Sequence, residues 1–240
     1  MADLAGVYDE TRQRISAVVS SLDGAALDRA APATPGWTVL DVVAHLTGDL
    51  AALLASDLPT SFFTSFGDPA EVTKLNAWTE RMVVERRTRP IGEVLDEWAT
   101  LTPKAWSLLA SGQADPLGFA DRVLTTDVAV HEQDIYGALD VARERDCAAL
   151  RIATATYVGV LGVRLDGLGP VQFVTAEKSY QAGDGEPGAT ARVDRFELFR
   201  ALSGRRSPDQ IRGWDWTGDP EPYLSLFYLY GPRSESLVEP

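Results

Sequence analysis

Apolar residues recur at three- and four-residue steps along the first 140 positions, which predicts a series of amphipathic helices. The predicted helices cover residues 4–22, 39–54, 72–83, 91–108 and 118–139. Thr38 supplies an N-cap oxygen for the second helix, and Asp41 follows three residues later, as in a capping box. Pro103 falls inside the fourth helix and should kink it or split it in two. Helices of this kind joined by loops favour an up-down bundle.

The pattern changes after about residue 145, where strand-like and glycine-rich segments begin. The expected elements are a helix at 152–165, a strand within 171–180, a glycine-rich turn at 183–188 leading to a second strand, a short helix at 196–202 ended by Gly204, and an aromatic strand or loop at 211–230. We therefore divide the chain into a helical domain of residues 1–145 and a smaller α/β domain of residues 146–240. The predicted fold class is α+β.

Composition narrows the range of partners. Acidic residues outnumber basic ones by 35 to 22, for a net charge of −13, which opposes a phosphate backbone, so we expect no nucleic-acid partner. Hydrophobic residues make up 45% of the chain, enough for a packed core, which excludes a disordered chain. The one cysteine, Cys147, excludes an internal disulfide and a cysteine-cluster metal site. The basic run at 86–89 is interpreted as a solvated helix end.

Two segments bear on membranes and compartment. Residues 1–20 lack the apolar region of a signal peptide, so we expect none. The most apolar stretch, residues 39–55, is too short and too charged to cross a bilayer. We therefore expect a soluble, cytoplasmic protein, without a membrane partner, that acts on a small molecule as a monomer or a homodimer.

The candidate chemistry centres on the only two histidines, His45 and His131. On the last predicted helix of the bundle, His131 falls in the buried stripe, and Asp127 lies one turn earlier on the same side. Buried charged groups cost several kcal/mol unless they are compensated. A divalent metal is one such compensation, because imidazole and carboxylate are zinc ligands, and His45 can be the third ligand. A buried ion pair or hydrogen bond between Asp127 and His131 is the alternative.

Further acids could orient the histidines. Asp134, three residues after His131, can hold the second ring nitrogen of that histidine. Asp41 and Asp49 flank His45, and we assign the orienting role to Asp41. Three protein ligands would leave one coordination position open, as in catalytic zinc sites.

Several motifs resemble the mycothiol-dependent maleylpyruvate isomerase family, which belongs to the wider group of DinB-like metal-binding four-helix bundles. The motifs are PGWTV at 35–39 with Asp41 and AHL at 44–46, VHEQDI at 130–135, and FELFRALSGRR at 196–206 with Gly218-Asp219. The first two resemble the signatures of the bundle, and the third resembles the small sterol-carrier-like domain of the family. The resemblance therefore implies a DinB-like four-helix bundle followed by a small α/β domain.

The resemblance also implies a chemistry. The family's metal triad of His, Glu and His falls on His45, Asp127 and His131, where Asp127 is one methylene shorter than the family's glutamate. The carboxylate must then approach by a shift of the helix or reach the metal through water. The implied metal is zinc, with nickel as the alternative, and the implied thiol cosubstrate is mycothiol. A metal-activated thiolate would add to an electrophilic carbon, which gives transfer or isomerisation.

Within the family a C-terminal arginine supports catalysis, and Arg205 or Arg206 is the candidate here for contacting a substrate carboxylate. A solvated basic pair after a helix end is the alternative. The whole chain is thus predicted to be a metal- and thiol-dependent transferase or isomerase. Two other functions remain open: a non-catalytic small-molecule-binding protein with a degenerate metal site, and a regulatory protein that binds a partner.

Overall fold

The computed structural model describes residues 3–112, 115, 117–141, 145–231 and 233–239. The chain forms two compact units. The first comprises Met1–Ser65, Thr73–Glu144 and Glu239–Pro240, and the second comprises Phe66–Val72 and Arg145–Val238. The fold class is α+β, as predicted, with a helical bundle followed by a small sheet domain.

Helices dominate the part of the chain before residue 140. They are α1 (Leu4–Val19), α2 (Gly24–Leu27), α3 (Val39–Leu54), α4 (Pro69–Val84), α5 (Ile91–Ala110) and α6 (Ala120–Leu139). Helices α1, α3, α5 and α6 form a four-helix bundle, in which α3 packs on α5 and α6 while α1 packs on α6 and α5. The shared core contains Tyr8, Ile15, Val42, Leu46, Leu50, Trp98, Val128 and Ile135. Each of the four helices therefore buries one apolar face in the same core.

Helix α3 begins as its sequence predicts. Thr38 accepts a hydrogen bond from the Asp41 backbone N–H at 3.2 Å, and the Asp41 carboxylate accepts one from the Thr38 N–H at 3.0 Å. This reciprocal capping box satisfies two N–H groups that the first helical turn leaves without partners. At Gly48, an added Cβ would lie 2.5 Å from the Cβ of Met82, so only glycine permits the approach of α4 at this point. Helix α3 is thus enclosed on several sides.

Pro103 does not split the fourth predicted helix. Helix α5 runs without a break from Ile91 to Ala110 with Pro103 inside it. The proline removes one backbone hydrogen bond, but Trp98 and Ala105 are fully buried on either side of it, and the Thr102 hydroxyl donates to the Trp98 carbonyl at 2.8 Å. Packing of the apolar face therefore holds the helix together across the proline.

The second unit contains a four-stranded sheet and several helices. Its elements are α7 (Ala148–Val163), β1 (Val171–Val174), β2 (Ser179–Ala182), β3 (Ala189–Arg192), α8 (Arg195–Leu202), α9 (Pro208–Arg212), β4 (Asp215–Thr217) and α10 (Glu221–Leu224). The strand order is β2-β1-β3-β4, with β1 and β3 parallel and the other two pairs antiparallel. Helix α7 packs on α8 and β2. Gly204 has a φ of +78°, as expected of a residue that ends a helix.

The expectation of strand or loop at 211–230 is only partly right. That stretch contains β4, but also the last two residues of α9 and the whole of α10. Helix α9 forms because Ser207 and Gln210 make a second capping box and Pro208 occupies its first turn. Among the helices that the structure describes, none is long and apolar enough to span a membrane.

Candidate metal centre

Helices α3 and α6 bring His45, Asp127 and His131 together inside the bundle. The Nε2 atom of His45 lies 3.3 Å from Oδ2 of Asp127, and Nε2 of His131 lies 3.5 Å from Oδ1 of the same carboxylate. One potential ligand atom from each residue lies within 4.8 Å of the other two. Both histidines are buried, whereas the Asp127 side chain is 25% exposed. Asp127 is therefore the most exposed of the three residues, although its Oδ2 atom, which faces His45, is buried.

The potential ligand atoms of the three residues lie close enough together to share one cation. At bond lengths of about 2.0–2.1 Å, two ligand atoms of a tetrahedral zinc lie about 3.3 Å apart. Oδ2 of Asp127 lies 3.3 Å from Nε2 of His45, and the other carboxylate oxygen, Oδ1, lies 3.5 Å from Nε2 of His131. The shorter side chain of aspartate therefore does not keep this carboxylate away from the two imidazoles, and the donor set of two nitrogens and one oxygen fits zinc.

An acid lies beside the remaining nitrogen of each histidine. Nδ1 of His131 lies 2.9 Å from Oδ2 of Asp134, whose side chain is completely buried. A carboxylate at this distance can accept a hydrogen bond from Nδ1 of His131, while Nε2 of the same ring lies on the side of Asp127. Nδ1 of His45 lies 3.4 Å from Oδ1 of Asp49, one turn further along α3. Both rings are thus oriented with Nε2 toward the centre.

Asp41 does not have the orienting role that we assign to it from the sequence. Its Oδ2 accepts the N-cap hydrogen bond from Thr38, and its Oδ1 accepts a hydrogen bond from Nε of Arg87 at 2.8 Å. Asp49 is the acid that contacts His45. The capping box was the available signal, because a carboxylate that caps the first turn of α3 points back toward Thr38 and away from the next turn.

Trp37 is a neighbour of the centre that sequence reasoning missed. The centroid of its indole lies 5.1 Å from that of the His45 ring and 6.2 Å from that of the His131 ring. Its indole N–H donates to Oε2 of Glu80 at 3.3 Å. The only signal in the sequence was its place directly before the N-cap residue of α3, which does not reveal its contact with α6.

The surroundings of the centre shift the pKa values of two of its carboxyl groups in opposite directions. Burial alone would raise the pKa of Asp127, but the neighbouring His131 and His45 outweigh burial, so the pKa of Asp127 lies below its ordinary value. Burial raises the pKa of Asp49 to about 8, with His45 opposing the shift and Asp127 adding to it. At neutral pH Asp127 is therefore ionised.

Arg205 and Arg206 lie in the second unit, just beyond α8. Both are buried, with 8% and 2% of their surface exposed, so the alternative of a solvated basic pair is wrong. Arg206 makes a bidentate contact with Glu197, at 2.6 Å from Nε and 2.8 Å from Nη2. Arg205 donates to the carbonyl of Ser203 at 2.6 Å. The Nε–Nη2 edge of the Arg206 guanidinium, which would recognise a substrate carboxylate, is therefore already engaged by Glu197.

The comparisons with known proteins agree with the motifs. The family model of the mycothiol maleylpyruvate isomerase N-terminal domain matches residues 8–136, which is more than half of the 240-residue chain. No curated protein matches the chain.

Two solved structures are similar in fold. One is a crystal structure of the mycothiol-dependent maleylpyruvate isomerase carrying a histidine-to-alanine substitution, with 14% identity, a TM-score of 0.56, and coverage of 90% of this chain and 92% of that chain. The other is a crystal structure of the mycothiol-dependent maleylpyruvate isomerase, with 15% identity, a TM-score of 0.56, and coverage of 85% and 88%. At such identities the likeness concerns the fold alone. The match of the family model confirms the resemblance that the motifs indicate: the chain belongs to the mycothiol maleylpyruvate isomerase family.

Proposed function

We propose that this protein is a metal-dependent enzyme that uses a low-molecular-weight thiol, mycothiol. The enzyme either transfers the thiol to a small electrophilic substrate or isomerises that substrate. The observation that carries the proposal is that one potential ligand atom from each of His45, Asp127 and His131 lies within 4.8 Å of the other two inside the bundle. Membership of the family supports the choice of thiol. Zinc is the proposed metal, with nickel as the alternative.

In this proposal His45, Asp127 and His131 hold the metal, and the side beside Asp127 stays open to the thiol. A metal bound there would make the thiolate available at neutral pH. The protein's own part is to fix the donors. Asp134 orients the His131 ring, and Asp49 lies against the His45 ring.

Arg205 remains the proposed contact for a substrate carboxylate. Arg206 is the weaker candidate, because substrate would have to displace Glu197 from its guanidinium. The test is a kinetic comparison of Arg205→Lys with the unmodified protein. Loss of a bidentate contact should raise KM about tenfold or more. An unchanged KM would remove Arg205 from the proposed site.

The first test of the function is the metal content of the purified protein. We expect close to one zinc or nickel per chain by elemental analysis and loss of that metal in His131→Ala. Arg122→Ala is the matched control, because Arg122 lies on the same helix but is exposed to solvent, and it should retain the metal. A chain that is free of metal and resists reconstitution with zinc would favour the non-catalytic small-molecule-binding protein.

The second test separates metal binding from thiol chemistry. Thermal-shift measurements on the zinc-loaded protein should show stabilisation by mycothiol that is absent after chelation. The same protein should then isomerise maleylpyruvate, or transfer the thiol to another electrophile, only when mycothiol is present. A zinc-loaded protein that neither binds mycothiol nor turns over would contradict the thiol-dependent function and leave the metal centre intact.

A further inference from the structure

Trp37 lies in a turn in which both its backbone N–H and its carbonyl are hydrogen-bonded. Gly36, immediately before it, has a φ of +92°, a conformation that glycine adopts without strain. The Trp37 N–H donates to the Thr34 carbonyl at 3.1 Å, and the Trp37 carbonyl accepts from the Ala31 N–H at 2.9 Å. The turn therefore fixes where the indole leaves the backbone, directly ahead of α3.

The indole then contacts both candidate ligands at once. Its plane is tilted by 47° to the His45 ring and by 36° to the His131 ring, at centroid distances of 5.1 and 6.2 Å. The two histidine rings lie 4.8 Å apart and are nearly perpendicular, at 82°. These separations lie within the range in which aromatic rings attract each other. One side chain therefore restricts the rotation of two imidazoles that come from different helices.

The far edge of the indole is held by a closed chain of polar contacts. Its N–H donates to Glu80, whose other oxygen lies 3.0 Å from Nη1 of Arg87. Nε of Arg87 donates to Asp41, and Asp41 caps α3 at Thr38, the residue next to Trp37. Glu80 and Arg87 are 46% and 40% exposed, so each of these ion pairs adds little to stability. Their consequence is geometric, because together they favour one position of the indole beside the two histidines.

We infer that Trp37 is a positioning residue of the proposed metal centre, held by Glu80, and that it keeps the His45 and His131 rings in the orientation that binds the cation. This inference rests on the proposed function. Asp134 and Asp49 each touch one ring, whereas Trp37 touches both. Ligands that are ordered before binding lose less conformational freedom when the cation arrives, which increases affinity.

The test measures zinc affinity by chelator competition and the visible absorption of the Co²⁺-substituted protein, which reports ligand geometry. We expect Trp37→Ala to weaken zinc binding about tenfold and to change the Co²⁺ spectrum. Trp37→Phe keeps an aromatic face and should stay within about threefold of the unmodified protein, with its spectrum retained. Glu80→Gln should weaken binding by about two- to threefold.

Trp78→Ala is the matched control. Trp78 is also half-buried, and its indole N–H donates to the Asp57 carbonyl at 2.8 Å, but within the part of the chain that the structure describes its ring stacks on neither histidine. Its zinc affinity should stay within about twofold. If Trp37→Ala does not fold, as judged by circular dichroism, Trp37→Leu takes its place, because leucine is apolar but has no aromatic face; it should show the same loss.

The outcomes separate this inference from the function on which it rests. If the unmodified protein binds zinc and the Trp37 variant binds it equally with the same Co²⁺ spectrum, the positioning role is overturned while the metal centre stands. If the unmodified protein binds neither zinc nor Co²⁺, the proposed function fails and the positioning role fails with it. A loss in Trp37→Ala that Trp37→Phe restores supports the inference.

Discussion

Two buried polar sites of this protein, one in each unit, differ in how their charge is compensated. In the second unit, Arg206 is almost completely buried and its guanidinium meets the carboxylate of Glu197 through two parallel hydrogen bonds. In the first unit, by contrast, the Asp127 carboxylate lies between two imidazole nitrogens at 3.3 and 3.5 Å, a set of atoms that can all act as metal ligands. The first arrangement is complete without a ligand, whereas the second would gain a compensating charge if a cation bound there, as we propose.

This difference shows that burial alone does not identify a functional residue. The exposed fractions are 2% for Arg206 and 6% for His131, so burial does not distinguish them. What distinguishes them is the direction of their polar atoms. Arg206 directs its donors at an acceptor, whereas the acids beside Nδ1 of each histidine leave Nε2 facing a carboxylate. Substitutions at the Arg206 ion pair should therefore change the stability of the fold, whereas substitutions around His131 should change zinc affinity.

The largest effect is expected from Asp127→Asn. A structural zinc site contributes roughly 10–16 kcal/mol over four ligands, or about 3 kcal/mol for each, so loss of this charged ligand should weaken zinc binding roughly 100-fold. Chelator competition gives the affinity, and circular dichroism of the metal-free variant checks that the helices persist. Zinc affinity within threefold of the unmodified protein would mean that Asp127 is not a ligand. The Asp127 site would then not differ from the Arg206 ion pair by its need for a cation.

Glu197→Ala should affect stability instead. Removing one partner of a buried ion pair costs about 3–5 kcal/mol, and the partial exposure of Glu197, 39% of its side chain, reduces the expected loss to about 2 kcal/mol. The measurement is the free energy of unfolding in urea. Glu197→Gln keeps an acceptor for Arg206 and should lose about half as much. Zinc affinity should not change in either variant, and a large change would contradict the separation of the two roles.

Asp134→Asn should weaken zinc binding about tenfold, because this buried acid sets the orientation of the His131 ring at 2.9 Å. Asp49→Asn should have a smaller effect, since its oxygen lies 3.4 Å from the His45 ring. Both substitutions replace an acid next to Nδ1 of a histidine by its amide, so each serves as a comparison for the other. Equal affinities for both variants and the unmodified protein would show that neither acid orients a ligand.

Short-range features of the site could be predicted from the sequence. The capping box at Thr38 and Asp41 places the start of α3, and the predicted end at residue 54 is also the observed one. Asp127 and His131 share a helix face because they are four residues apart on α6. Each of these features depends on the geometry of a single helix, which local sequence determines.

Features that depend on packing could not be predicted. The contact of Trp37 with His131 joins residues that are far apart in sequence. The basic run at 86–89 was interpreted as solvated, which is wrong for Arg86, because Arg86 is 5% exposed and makes two hydrogen bonds with Glu97 of α5. A run of arginines at the end of a helix is typical of a solvated surface, and only the position of α5 reveals its partner.

The last and smallest effect concerns the ion pair of Arg86 with Glu97. This pair is a compensated buried charge in the same unit as the proposed metal centre. Burial raises the pKa of Glu97, but Arg86 and Arg89 outweigh burial, so the pKa of Glu97 lies below its ordinary value of 4.5. The pair therefore contributes its full stability above pH 4.5 and loses it as the pH falls through the lower pKa of the folded state.

Glu97→Gln should lack this component of the acid dependence. Between pH 7 and pH 3.5 the unmodified protein should lose about 0.5–1 kcal/mol more than the variant in the free energy of unfolding, a value already reduced for solvent screening. Glu93→Gln is the control, because Glu93 is 61% exposed and lies 3.7 Å from Arg89. If Glu97→Gln and Glu93→Gln respond to acid alike, Arg86 is not stabilised by its carboxylate partner. The comparison of the proposed metal centre with Arg206 would then stand. Arg86 would no longer be a second example of a compensated buried charge, inside the bundle itself.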